Sequence, residues 1–132
     1  MAIQFSVACR TARAAAIETE AGASPKLAGF TGAVPLNCAA ANPTGELFRM
    51  TLPADWATQA NGALVLAGLW SVAAGAGAAS SPVSFRLYKS DGTTCVLQGT
   101  CQVGGGDLSI NGTVTAGQTV TVTAFTLTEG GA

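Results

Sequence analysis

Four cysteines, seven carboxylates and six basic side chains are the chemistry available to this 132-residue chain, which contains no histidine. Without an imidazole it lacks the usual general base, the commonest zinc ligand and the usual charge switch near neutral pH. The cysteines, Cys9, Cys38, Cys95 and Cys101, follow no C-x-x-C spacing, so buried thiols rather than a metal site are expected. If one strand carries both Cys95 and Cys101, their even spacing puts them on one face roughly 20 Å apart, too far to bond. Cys38 with Cys95 is the possible disulfide to test, a thiol pair inside a reducing cell that oxidises only after release.

The carboxylates are scattered. Only Glu18 and Glu20 are close in sequence, and residues two apart on a helix do not face each other, so no glycosidase-type acid pair is visible. Gly104-Gly105-Gly106-Asp107 lacks the Lys-Ser/Thr of a phosphate loop and the spaced acids of a calcium loop, and a hairpin turn is expected there. The serines have no base in a recognisable context. The chain is therefore expected to be no enzyme and to carry no cofactor.

Charge is informative by its scarcity. Between Arg49 and Arg86 the only charged side chain is Asp55, and between Asp91 and Glu129 the only one is Asp107. A soluble domain usually carries roughly a quarter of its residues as charges, whereas this chain carries 10% with a net charge of −1. It has given up its main protection against self-association, as expected of a part that neighbours cover. No basic field exists for a phosphate backbone, so no nucleic acid is expected as partner. The greasiest stretch, Ala63 to Val72, is broken by Gly68 and is about half the length that spans a bilayer, so no membrane is expected either. The N-terminal run from Met1 to Cys9 lacks a basic start and is interrupted by Gln4 and Ser6, unlike an export signal.

The elements that must position these groups begin with a helix over residues 1–22. Ser6 can cap it, Thr11 to Ile17 is alanine-rich, and Gly22 and Pro25 stop it. Val7, Ala14, Ile17 and Ala21 share a face, while Arg10 and Arg13 early and Glu18 and Glu20 late oppose the helix dipole. Such a helix needs a surface to dock on, its own sheet being the default.

From residue 26 to 128 the pattern is strands: Lys26 to Phe30, an alternating Glu46 to Leu52, a continuous apolar Ala63 to Trp70 read as a central strand, a Val83–Tyr88 and Cys95–Val103 hairpin, Leu108 to Ile110, and Gln118 to Thr128. In the last, Val122 and Phe125 differ in parity, and a bulge near Ala124 or Phe125 would reconcile them. The expected fold is all-β: a β-sandwich or jelly roll of seven or eight short antiparallel strands with an N-terminal α-helix, one domain spanning 1–132. Two long uncharged connections stand out. Thr31 to Gly45, with Val34, Pro35 and Leu36, reads as a contact segment, and Ser71 to Pro82 as mobile until bound. Arg10 and Arg13, unsatisfied within their own helix, are candidates to reach a partner. Trp56 is either an interface residue or a cap on the core, and with Tyr88 it suggests a sugar-binding platform as the alternative role.

The helix Ala12-Arg13-Ala14-Ala15-Ala16-Ile17, the loop Gly32-Ala33-Val34-Pro35-Leu36-Asn37-Cys38, Leu52-Pro53-Ala54-Asp55-Trp56, Phe85-Arg86-Leu87-Tyr88 leading to Asp91-Gly92-Thr93-Thr94-Cys95, and the closing Ala116 to Thr123 together resemble small structural proteins of tailed bacteriophages, of the head decoration or cement type. The resemblance implies a β-rich, jelly-roll-like clip on the virion, made in the host bacterial cytoplasm and bound to the capsid surface. Its expected partners are the major capsid protein and further copies of itself, as a dimer or trimer. A tail or fibre component is the near rival, and no catalytic residues are carried over.

Overall fold

The computed structural model describes residues 3–75 and 79–129. The chain is mostly β with one N-terminal helix. The helix, α1 (Val7–Ala21), starts where the Ser6 hydroxyl accepts from the Cys9 amide at 3.1 Å and stops at Gly22, whose φ of 78° most side chains resist. It docks on its own sheet, burying Ala14 and Ala21, while Val7 stays about half exposed, outside the expected stripe.

Among the described residues twelve strands follow, more than expected because several are only two or three residues long: β1 (Lys26–Phe30), β2 (Glu46–Thr51), β3 (Ala57–Ala60), β4 (Ala63–Leu66), β5 (Ser71–Ala73), β6 (Ala79–Ser80), β7 (Ser84–Tyr88), β8 (Cys95–Val103), β9 (Gly105–Gly106), β10 (Leu108–Ile110), β11 (Val114–Thr115) and β12 (Thr119–Thr128). Ten lie in one sheet ordered β2-β1-β7-β8-β10-β12-β4-β3, with β5 added to β12 and β9 to β8, and β6 pairs with β11 apart. The strands are not all antiparallel as expected: β10 runs parallel to β8, because the chain doubles back through Gly104 and Gly106, both at positive φ, before re-entering the sheet. The sheet curls until β2 meets the end of β5, where the Gly75 amide donates to the Leu47 carbonyl at 3.1 Å.

Inside the curl lies the core. Trp56, Trp70, Phe125 and Phe85 form a chain of tilted and edge-on rings with centroids 5.6 to 6.0 Å apart, an arrangement favoured by the ring quadrupoles. The apolar run from Ala63 is a strand only as far as Leu66. It then breaks at Gly68 (φ 75°), and Trp70 drops into the core. The connection 71–82 is likewise not wholly irregular, since β5 and β6 occupy parts of it; its middle, 76–78, lies outside the described residues.

Three bulges decide which residues face the core. In β12 the extra residue is Thr123: Ser109 pairs with Ala124 and Ile110 with Val122, so Val122 and Phe125 both point inward. In β2 the extra residue is Leu47, and Leu47 and Phe48 are both buried although consecutive. In β8 it is Val96: Leu87 pairs with Leu97 and Tyr88 with Cys95. Cys95 and Cys101 therefore do not share a face as their even spacing suggested. Cys101 joins the main core, and Cys95 packs with Ala28, Phe30 and Tyr88 on the opposite side of the sheet.

Candidate interaction surface

That opposite side carries a buried polar cluster centred on Arg86. The loop 31–45 leaves β1 through a closing pair, with the Thr31 amide on the Gly45 carbonyl at 2.9 Å and the Gly32 amide on the Thr44 carbonyl at 3.0 Å, and folds across β1, β7 and β8. Arg86, in the middle of β7 on the parity away from the core, is only 2% exposed. Its guanidinium donates to Gln98 Oε1 at 3.1 Å, Asn42 Oδ1 at 3.0 Å and the Asn37 carbonyl at 3.1 Å. Among the described residues no carboxylate pairs with it. The planar fork of donors matches three acceptors on divergent lines, which a point charge cannot do.

Further ties hold the same loop. The Tyr88 hydroxyl donates to Asn42 Oδ1 at 2.6 Å, Gln98 Nε2 to the Pro35 carbonyl at 2.6 Å, and the Ser84 hydroxyl to the Gly32 carbonyl at 2.6 Å. The Asn37 side chain accepts from the Ala39 and Ala40 amides, forming a local turn. Burial raises the Tyr88 phenol above its ordinary pKa, against the opposing pull of Arg49 and Arg86, so the hydroxyl keeps the proton that it donates. Arg49 lies over the Tyr88 ring, 4.7 Å from its centroid, and pairs with Glu46 at 2.8 Å.

The consequence falls on Leu36. Its two neighbouring carbonyls, of Pro35 and Asn37, are both bonded to side chains of the sheet, and the Leu36 side chain is driven outward to 94% exposure. Val34, beside it, is also exposed. Here the sequence expectation of a contact segment meets a loop pinned to its own sheet, with an apolar knob held in water. Holding a leucine that way forgoes roughly 1.5–3 kcal/mol of burial, and a fixed backbone removes most of the ordering cost of a later contact.

The other expected interface residues are placed differently. Trp56 is fully buried, its indole N–H donating to the Gly22 carbonyl at 3.2 Å, so it locks the end of α1 to the core and offers no surface to a partner. Tyr88 and Trp70 are buried too, and none of the three presents a ring face to a sugar. Arg13 is satisfied from outside its helix: it pairs with Glu129 at 3.0 Å and lies 4.9 Å from the Phe5 ring centroid. Arg10 folds against Gly62, which has no Cβ to obstruct it, and its Nε is buried with no hydrogen-bond partner among the described residues.

The fold also brings together acids that are far apart in sequence. Glu18 meets Asp55 and accepts from Gln59 Nε2, and partial burial with the neighbouring Asp55 carboxyl raises the Glu18 pKa. This pair joins α1 to the β2–β3 connection.

Cys38 and Cys95, 57 positions apart, face each other with their sulfurs 2.7 Å apart, and both are free thiols. Burial, then the adjacent Cys38 thiol, pushes the Cys95 pKa well up. The Cys101 thiol is pushed up to about 12 by burial alone, and Cys9 is exposed. Asp107, of the glycine-rich turn, accepts from the amide and hydroxyl of Thr100 at 2.9 Å each and so caps a strand edge.

Arg86, Asn42 and Gln98 were not singled out by the sequence. The available signal was an arginine at an alternating strand position, a pattern equally compatible with a solvated edge. Among the described residues no group of three or more His, Cys, Asp or Glu is placed to hold a metal ion, and no helix is long and apolar enough to cross a membrane. Comparison with known proteins finds no family model, no curated protein and no solved structure that matches the chain.

Proposed function

We propose that this chain is a bacteriophage virion structural protein of the decoration or cement type, binding the capsid exterior through the loop 31–45 with Leu36 as its anchor. The observation that carries the reading is the exposed Leu36, flanked by two carbonyls tied to the buried Arg86 and to Gln98. The near absence of charge over long stretches of the chain supports it, as does the likeness of its segments to small phage structural proteins. On this reading the partners are the major capsid protein and other copies of the chain, and the protein acts on the virion surface after synthesis in the host cytoplasm. The jelly-roll kinship belongs to the same proposal, since a sheet curled on itself encloses one core much as two facing sheets do.

The role is to add interface. A contact burying about 1,600 Å² supports micromolar to picomolar binding, and many copies bridging capsomers multiply the effect. The test is co-sedimentation with empty shells of the phage or prophage that carries the gene. Wild-type protein should pellet with shells. Leu36→Asp should stay in solution, with its unfolding free energy unchanged to within about 0.5 kcal/mol because the residue touches little of its own fold. Wild type remaining in the supernatant, or Leu36→Asp pelleting equally, refutes the reading.

A further inference from the structure

The sheet contains a slot one strand wide. Residues Cys95–Thr100 of β8 ladder only with β7, and residues Thr126–Thr128 of β12 ladder only with β4. Between these two edges β10 fills the sheet from Leu108 onward, pairing with Cys101–Val103 on one side and Val122–Phe125 on the other. Ahead of Leu108 the described residues supply only the two-residue β9, which pairs with Cys101 and Gln102 and leaves Cys95–Gly99 without a second neighbour. Two adjoining cavities of about 320 and 300 Å³ occupy the gap. One is lined by Gln98, Asp107, Phe125 and Thr126, the other by Ala16, Ile17 and Val96, and both by Leu97 and Leu127.

The slot is apolar where Ile17, Val96, Leu97 and Leu127 line it and mixed where Gln98, Asp107 and Thr126 do. Of its two carboxylates, Glu20 pairs with Lys89 at 2.9 Å, and Asp107 accepts from the Thr100 amide and so closes that end of the β8 edge, which stays open over Cys95–Gly99. Two open strand edges facing one another invite an added strand, whose main chain bonds the edges while alternate side chains enter the cavity.

The same chain carries a segment that fits this description. Ahead of α1, Ile3-Gln4-Phe5-Ser6 alternates apolar and polar residues, bears no charge and belongs to no strand. Ile3 is 80% and Phe5 41% exposed. Four extended residues reach about 13 Å, whereas the α1 residues lining the slot begin at Ala16, about 14 Å along the helix from Val7. The arm instead stays at the first turns of its own helix, with Phe5 beside Arg13, and its reach falls short of Ala16, so the occupant is the arm of another molecule.

We infer that copies of this protein join by strand exchange, the N-terminal arm of one copy, with Ile3 and Phe5 inward, filling the slot between β8 and β12 of the next. Two copies can exchange arms reciprocally about a two-fold axis, and three or more can pass arms head to tail around a closed ring. It deepens the decoration-protein reading by naming how copies associate, but uses neither Leu36 nor the capsid.

The experiment compares the full-length protein with the double variant Ile3→Asp/Phe5→Asp by sedimentation velocity over a concentration series, and follows backbone amide exchange at Val96–Gln98 and Thr126–Thr128. Wild type should form a discrete oligomer in which these amides exchange at least about tenfold more slowly at high than at low concentration. The double variant should be a monomer with an unchanged far-UV spectrum and fast exchange at both segments. A wild type that stays monomeric, an oligomer that survives the double substitution, or an oligomer whose slot amides remain unprotected each overturns the inference. Shell binding of the monomeric variant is scored separately: if it still pellets, the decoration reading stands whatever becomes of the slot, and if wild type forms the protected oligomer yet ignores shells, strand exchange stands alone.

Discussion

Replacing Arg86 by lysine should damage the protein more than replacing it by methionine, although lysine conserves the charge. The guanidinium makes three hydrogen bonds at 3.0 to 3.1 Å to neutral acceptors and is 2% exposed. At about 1 kcal/mol net for each bond and about another 1 kcal/mol for the packing of its stem, Arg86→Ala should cost about 4 kcal/mol. Methionine keeps the stem and removes the cost of holding a cation in a site without an anion. Two of the three acceptors also keep a partner, Asn42 Oδ1 from Tyr88 and the Asn37 carbonyl from the Ala40 amide. Arg86→Met should therefore cost only about 1–2 kcal/mol. Lysine keeps the buried charge while its single head reaches fewer of the divergent acceptors, for a loss of about 3 kcal/mol. Urea unfolding gives the order, and amide exchange at Ala39 and Ala40, whose turn is held under Arg86, reports release of the loop. A lysine variant as stable as wild type, or more stable than the methionine variant, would refute the argument that geometry rather than charge retains this residue.

Two further outcomes follow from the same face and its hairpin. Oxidised glutathione should convert Cys38 and Cys95 to a disulfide with no rearrangement of the loop, and closing 57 residues should stabilise the fold by about 4 kcal/mol; peptide mapping by mass spectrometry and the shift in urea midpoint check it, and Cys95→Ala should abolish both. Asp91 is lowered to about 2 by the Thr94 hydroxyl, the Thr94 amide and the Thr93 amide. Its folded pKa lies below the unfolded value near 4, so its stabilisation is complete above that value and is lost as pH falls towards about 2. The stability advantage of wild type over Asp91→Asn should shrink across that window in urea titrations, and parallel pH profiles would contradict the assignment.

What the sequence made legible was local. The Ser6 cap, the Gly22 stop, the hairpin turned by Asp91-Gly92 and the parity conflict between Val122 and Phe125 are each settled within a few residues, and each is found in the structure. What it concealed depends on register across the sheet. Nothing near Cys95 announces the bulge at Val96, which arises from how β8 must meet β7, yet that one residue sends Cys95 to the loop side and leaves Cys101 in the core. Trp56 was ambiguous for the same reason: whether a tryptophan after a Pro-Ala-Asp turn faces inward depends on where α1 ends, and here the Gly22 carbonyl is waiting for its N–H. The pinned loop was legible as uncharged and long, but its partners come from β7 and β8, 49 and 63 positions away in the chain.

Strand β8 is where the two proposed contacts meet. On one face the Gln98 side chain holds both Arg86 and the Pro35 carbonyl, and thereby the backbone on either side of Leu36. The same residue lines the slot, where the edge of β8 lacks a second neighbour. An edge with one hydrogen-bonded neighbour opens more readily than one with two, so filling the slot would restrain Gln98 and with it the loop that it anchors. If both proposals hold, arm exchange and the presentation of Leu36 would be coupled through one side chain, without a change of fold. A protein built this way would offer its knob most firmly once assembled, which suits a component whose copies act together on one surface.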